Sequence, residues 1–364
     1  MISRDFELDS LENLRRTTMA ELHLDLDRLD SNAQLVADRV AALGKQWRPH
    51  IKAHNEPRLA QRLMALGAVG ITAARVVEVT RMAEAGIPSI LLAHICVDEA
   101  ERRQLAAAAR RTQLLLCADH FVQLERYSQT AVDAGVTFEV LVDVNIGMDR
   151  TGCRPRVDAT QLALAASQLP GLQVAGIFGY EGHLLTIEDP AEKQAQIFDA
   201  MNTLQQTRQA VESAGLSCPI VSAGASGSLE ITGRHPVVTE LQAGGAIFGD
   251  PFYTRCGLTG LQPALTVTAD VVSRPALQRA VLNAGRKAIN PFVQPPEVVG
   301  YPDVSIEQMN AEHTVLSLAG TGRELQIGDR VSLVVGYSDH TLRLHRQVHV
   351  HHSGGQQELW QLDG

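Results

Sequence analysis

A chain of 364 residues is too long for one small core and long enough for a large domain with a smaller companion. Its 45% hydrophobic and 20% charged residues are globular in balance, and a net charge of −9 without a long basic run argues against a nucleic-acid partner. No apolar stretch nears the roughly 20 residues of a membrane helix. The charged opening MISRDFELDSLENLRR lacks the apolar core of a leader, and the scattered cysteines (Cys96, Cys117, Cys153, Cys218, Cys256) suit the reduced thiols of a cytoplasmic protein.

In chain order, residues 1–24 read as a segment that joins a β domain, with Leu22–Leu26 extended. From 25 to 257, apolar runs alternate with helical patterns. The runs are Trp47–Lys52, Val69–Ala73, Ser89–Ala93, Gln113–Cys117, Phe138–Val144, Val174–Gly179, Pro219–Ser222 and Val237–Phe248. Between them, Glu56–Leu66, Val76–Ala85, Asp98–Arg110 and Glu192–Ala214 carry Ala, Leu, Gln, Arg and Glu at helical spacing. This rhythm predicts an α/β fold, a parallel (β/α)8 barrel. An open doubly wound sheet competes with it, but no GxGxxG follows the first run. From 258 to 364 the texture changes. Leu265–Val272, Ala280–Leu282, Thr314–Leu318, Arg330–Val335 and Thr341–Val350 are short Val-, Leu- and Thr-rich runs parted by Gly, Pro, Asn and Asp, which predicts an antiparallel β domain. Ile327-Gly328-Asp329-Arg330 reads as a tight turn into a strand.

The residues able to do chemistry cluster just after predicted barrel strands, on the face where barrel enzymes work. Arg48-Pro49-His50-Ile51-Lys52-Ala53-His54 ends a strand in a lysine flanked by histidines. A lone lysine there is usually a surface residue, but a partly desolvated amine loses pKa and can form a Schiff base with a carbonyl. Gly147-Met148-Asp149-Arg150-Thr151-Gly152 holds an arginine in a glycine-bounded turn, suited to a phenolate or carboxylate. Gly179-Tyr180-Glu181-Gly182-His183 offers a phenol and an imidazole between glycines, as hydrogen-bond or proton-carrying groups. Ser222-Ala223-Gly224-Ala225-Ser226-Gly227-Ser228 and Gly244-Gly245-Ala246 follow the seventh and eighth runs, where barrels commonly bind phosphate.

On these motifs the chain resembles the fold-type III pyridoxal-phosphate enzymes, in the branch of D-threonine aldolase and D-serine dehydratase. That branch joins an alanine-racemase-like TIM barrel to a C-terminal antiparallel β domain. Pro49-His50-Ile51-Lys52-Ala53-His54 matches its Pro-His-x-Lys-x-His segment, Gly147-Met148-Asp149-Arg150 its Gly-Met-x-Arg, and Ser222-Ala223-Gly224-Ala225-Ser226 its phosphate loop, with Ser226 in place of threonine. The resemblance implies pyridoxal 5'-phosphate bound by Lys52, His50, Arg150, Tyr180, His183, Ser222, Gly224, Ala225, Ser226, Gly244 and Gly245. It implies catalytic roles for Lys52, His54 and Tyr180, and position alone, in the segment that holds a metal in the family, makes Tyr337 a candidate acid or base.

Two departures stand out. Gly244-Gly245-Ala246 replaces a Gly-x-Tyr, so one tyrosine contact is lost. The segment that holds a divalent metal (Mg, Mn or Zn) in the family reads Val335-Gly336-Tyr337-Ser338-Asp339-His340 here. Asp339 stands at one ligand position and Tyr337 replaces the other, so either no metal binds or His340 or another group supplies the missing ligand. A phenol with a pKa of about 10 is a poor ligand at neutral pH. His313 resembles a Glu-His-Gly segment of the family, and His345, His349 and His351 fall on one face of a regular strand, with His352 beside them. The implied function is a lyase acting on D-β-hydroxy amino acids, a small-molecule substrate, by aldol cleavage. Dehydration, racemisation and non-catalytic cofactor carriage are the alternatives, and a homodimer is expected.

Overall fold

The computed structural model describes residues 20–362, so the charged opening segment lies outside the described residues. The chain divides into two compact units. One comprises Leu26–Ala264, and the other gathers residues 20–25 with Leu265–Leu362.

The first described strand, β1 (Glu21–Asp25), belongs to the second unit, and the chain then turns directly into α1 (Leu26–Ala42). Leu26, Leu29, Ala33, Val36, Ala37 and Val40 recur at helical spacing and are buried. Buried Asn32 donates to the carbonyls of Ile247 (3.1 Å) and Gln262 (2.7 Å) and accepts from the Gln262 amide, so α1 holds the chain near the barrel's last strand.

All eight predicted runs supply barrel strands: β2 (Gln46–Trp47), β3 (Ile71–Ala73), β4 (Ser89–Leu92), β5 (Gln113–Ala118), β6 (Phe138–Asp143), β7 (Leu172–Phe178), β8 (Ile220–Ala223) and β9 (Glu240–Leu241). They pair in parallel in the order β2-β9-β8-β7-β6-β5-β4-β3. Residues 47–51 also bond the other end of that order, through Val69 N–H to Trp47 O (2.8 Å), Thr72 N–H to Pro49 O and Ile51 N–H to Thr72 O (each 2.9 Å). The sheet therefore closes, which excludes the open doubly wound alternative. Helices α2 (Pro57–Ala65), α3 (Val76–Glu84), α4 (Glu99–Ala108), α5 (Phe121–Ala134), α6 (Val157–Gln168) and α7 (Pro190–Ser213) follow successive strands, with short α8 (Leu229–Thr232) and α9 (Pro251–Arg255) after β8 and β9. Leu91, Leu115, Cys117, Leu141, Ala175 and Phe178 form a buried cluster on which Tyr180 packs. Full burial of each large apolar side chain is worth about 1.5–3 kcal/mol.

The second unit is a mostly antiparallel sheet of β10 (Leu265–Ala276), β11 (Arg279–Leu282), β12 (Glu297–Val298), β13 (Ser305–Met309), β14 (Thr314–Ser317), β15 (Arg330–Val334), β16 (Gln347–His351) and β17 (Gln357–Gln361), together with β1. Its order is β13-β14-β11-β10-β1-β16-β17, with β15 pairing β10 and β12. One expectation fails. Thr341–Leu344 is not strand but the end of α10 (Ser338–Thr341) and a following 3-10 turn, because the chain coils after Tyr337 before β16 begins.

The histidine face is built differently from the expected one. β1 pairs in parallel with β16, with His23 opposite His349, so His23 joins His349 and His351. Either His23 Nδ1 or His351 Nε2 donates to the other across 2.9 Å, and the His23 and His349 rings stack at 5.1 Å. His345 stands apart, bonded to the Ala288 carbonyl at 2.8 Å. Burial, and then the neighbouring His349 and His351, push the His23 pKa down to about 4. The folded chain thus refuses a proton that the unfolded chain accepts below about pH 6.5. The stability this contributes is complete above pH 6.5 and is lost as pH falls towards 4. Allowing for partial exposure, the loss should be about 1–2 kcal/mol. Urea unfolding followed by the fluorescence of Trp360 in β17, with Trp47 replaced by Phe, should show it between pH 7.5 and 4.5, and a His23→Gln variant should flatten that dependence.

Candidate active site

Because all barrel strands are parallel, the loops after β2, β6, β7, β8 and β9 open on one end of the barrel. Lys52 lies after β2 and is exposed there, not partly desolvated as expected. Its backbone amide donates to His50 Nδ1 at 3.3 Å. The pKa of His50 is held well below its ordinary value by burial, then by Lys52, His54 and Arg150. His50 is therefore neutral at pH 7, and it senses both the lysine and the β6-loop arginine. His54 is buried, and its Nδ1 accepts from the Glu56 amide at 2.9 Å. That ring braces the start of α2, where the Glu56 carboxylate caps Arg58 N–H.

The loop after β6 is shaped by Asn145, whose side-chain carbonyl accepts from the amides of Gly147 (2.9 Å) and Asp149 (3.2 Å). It presents Arg150, whose guanidinium lies 5.6 Å from the Tyr180 ring centre. A Cβ built on Gly147 would lie 3.0 Å from His183 Nε2. Arg150, Tyr180 and His183 therefore meet where the β6 and β7 loops touch. Behind them Asp143 is buried, and burial, with Asp119 nearby, lifts its carboxyl to about 6.

The two glycine loops also meet. The Ala246 amide donates to Ser226 Oγ at 3.0 Å. A side chain at Gly244 would collide with the His50 backbone, and one at Gly245 would collide with the Tyr253 hydroxyl. A tyrosine thus reaches this loop from α9, although the loop itself carries none.

Three loop assignments need correction. Ser222 is fully buried; its hydroxyl donates to Glu240 (2.8 Å) and accepts from Gln242 (2.9 Å) inside the barrel, so that side chain does not face a ligand. The amides of Gly224 and Ala225 are taken up by Glu181 (3.3 Å) and Ser228 Oγ (3.0 Å). Among the described residues, the amides of Ser226 and Gly227 have no such internal acceptor and are left able to donate to an anion. The organiser is Glu181, which the sequence reading passed over. Fully buried, its carboxylate also accepts from the hydroxyls of Ser228 and Thr232, each at 2.6 Å. The only sequence hint was a carboxylate set between two residues of interest in Gly-Tyr-Glu-Gly-His.

A cradle of hydroxyl and amide donors opposite an exposed lysine fits pyridoxal phosphate. The metal is another matter. In the β domain Tyr337, Asp339 and His340 do come together: the Tyr337 hydroxyl donates to Asp339 Oδ2 at 3.1 Å, and the His340 ring stands edge-on to Tyr337 at 5.0 Å. Among the described residues, however, no group of three or more His, Cys, Asp or Glu side chains has metal-holding geometry. A phenol bonded to the one carboxylate does not fit a divalent ion, so no step is routed through a metal.

Comparison with known proteins agrees with this geometry. The alanine racemase N-terminal domain family matches residues 24–251, and the serine dehydratase domain family matches 264–351. The chain is 33% identical to a D-threonine aldolase of an Arthrobacter species, over 96% of this chain and 93% of that protein. It is 27% identical to the D-threo-3-hydroxyaspartate dehydratase of Delftia sp. strain HT23, over 85% and 86%. The crystal structure of D-threonine aldolase from Filomicrobium marinum superposes with a TM-score of 0.89 at 32% identity, covering 94% of each chain. The chain belongs to the alanine racemase-like, fold-type III family of pyridoxal-phosphate enzymes, in the branch that carries a serine dehydratase-type β domain.

Proposed function

We propose that the chain is a pyridoxal-phosphate-dependent lyase that cleaves D-β-hydroxy amino acids to glycine and an aldehyde. The observation that carries this reading is the meeting of Arg150, Tyr180 and His183 at the barrel end on which the Lys52 loop also opens, in a chain whose 33%-identical relative is a D-threonine aldolase. Lys52 would hold the cofactor's aldehyde carbon, Arg150 its phenolic oxygen, and Ser226 with the Gly244–Ala246 loop its phosphate. When bound, the cofactor supplies an electron sink for the pair left on the substrate Cα. The residues supply the proton traffic. A base must take the β-hydroxyl proton as the Cα–Cβ bond breaks, and an acid must return a proton to Cα. His183, exposed beside Gly147, is assigned the first role, and Lys52, once displaced by the substrate amine, the second. Neutral His50 adds no positive charge beside that amine.

The test is direct. The purified chain, loaded with pyridoxal phosphate, should convert D-threonine to glycine and acetaldehyde and leave L-threonine untouched, with and without EDTA. Keto acid and ammonia from D-serine or D-3-hydroxyaspartate would instead give the dehydratase reading, which the 27%-identical Delftia relative supports. No product from any of these substrates would overturn both. Turnover by a Tyr337→Phe variant tests whether that phenol takes part, and full turnover removes it from the mechanism. A homodimer, and residence in a reducing cytoplasm that suits the free cysteines, complete the proposal; light scattering checks the first. Among the described residues, no helix is long and apolar enough to cross a membrane.

A further inference from the structure

In the first turn of α7, Lys193 is only 4% exposed. Its ammonium donates to three backbone carbonyls: Leu185 (2.8 Å), Gly227 (3.0 Å) and Cys256 (2.8 Å). These belong to the turn after His183, to the Gly/Ser loop after β8, and to the residue that ends α9. All three hydrogen bonds of the ammonium are thereby satisfied. Among the described residues no carboxylate pairs with it, and burial lowers its pKa. A buried charge without a counterion is costly, and the three carbonyls are what hold this ammonium in place. Here it is directly behind Ser226 and Gly227, whose amides are the loop's remaining donors. With Ser226, Gly227, Ser228, Arg255 and Cys256 it lines a cavity of about 180 Å³. Glu181 grips the same loop from its other end through Gly224, Ser228 and Thr232.

We propose that Lys193 is a positioning residue for the cofactor phosphate: it fixes the Gly227 carbonyl so that the loop's amides are preset for the anion, and its charge favours a dianion on that loop. Lys193 touches neither substrate nor cofactor in this account, and the proposal rests on the assignment of the β8 loop to a phosphate. Preset donors bind more tightly because ordering them costs nothing at the moment of binding. The effect is therefore selective for the phosphate-bearing form of the cofactor.

The experiment compares equilibrium binding of pyridoxal 5'-phosphate and of pyridoxal, which lacks the phosphate, to apoprotein prepared from wild type, Lys193→Gln and Lys193→Met. Gln keeps a donor without the charge, and Met keeps the length, so a folding failure in one leaves the other readable. Circular dichroism first establishes which variants fold. The expected result is a loss of about tenfold or more in affinity for pyridoxal phosphate, with pyridoxal changed by less than about twofold. Inorganic phosphate should likewise compete less well against pyridoxal phosphate in the variants. Equal weakening of both ligands would make Lys193 a purely structural residue, and no weakening of either would remove it, so each result overturns the inference. If wild type bound neither ligand, the assignment of the site itself would fail instead.

Discussion

Replacing Lys52 with alanine should cut lyase turnover by about 10³-fold or more while leaving the fold intact. The side chain is exposed at the barrel mouth, so its loss should change stability by no more than about 0.5 kcal/mol. On the proposed function, what is lost is the amine assigned to hold the cofactor and to return the proton to Cα. Borohydride reduction followed by peptide mass spectrometry checks this: the wild type should carry the reduced adduct on the peptide that contains Lys52, and the variant should carry none. An adduct on another lysine, or full activity in the variant, would refute the assignment.

The largest effect on stability should come from Arg48→Met. Arg48 and Glu240 are both buried, and Arg48 Nε donates to Glu240 at 2.7 Å while Nη1 donates to Ser89 at 2.9 Å. Ser222 and Gln242 extend the network from the other side of the carboxylate. Removing one partner leaves Glu240 charged and uncompensated in the barrel interior, which costs about 3–5 kcal/mol. The barrel unit, Leu26–Ala264, should then melt roughly 6–20 °C lower. Because the penalty arises from a stranded charge, Arg48→Met combined with Glu240→Gln should recover part of the loss. If the double variant were as unstable as the sum of the two single ones, the network would be acting by packing alone. Calorimetry of the four proteins decides between these outcomes.

The barrel was legible because parallel strands are covered on both faces, so each reads as an unbroken apolar run bounded by helical patterns. Leu114-Leu115-Leu116 in β5 and Val140-Leu141-Val142 in β6 are cases in point. The places of the candidate motifs were legible for a related reason: in a parallel barrel the loops that follow the strands all open on one end. Thr341–Leu344 misled because its Thr and Leu suit a strand, while the coil it adopts is set by the turn at Tyr337–Asp339. α1 is regular in its apolar spacing, yet it directly continues the extended Leu22–Leu26 run with no Gly or Pro to mark the change. The groups that shape the loop after β8 were hidden for a deeper reason. Glu181 and Lys193 look like surface charges in a sequence, and only tertiary contacts turn them into buried hubs. The same holds for Tyr253, which reaches the β9 loop from a helix that follows it, and for Ser222, whose hydroxyl points inward although the motif around it suggests an outward one.

The placement of β1 has a consequence for how the molecule is made. A strand from the beginning of the chain lies between β10 and β16, which come from its last hundred residues. A ribosome delivers β1 long before either neighbour exists, so this sheet cannot complete until synthesis is nearly over. Its long sequence separations predict slow closure. In the interval the barrel residues, which are contiguous, are free to fold first. A fragment that starts at Leu26 would keep the barrel yet leave the facing edges of β10 and β16 bare, and such edges invite aggregation.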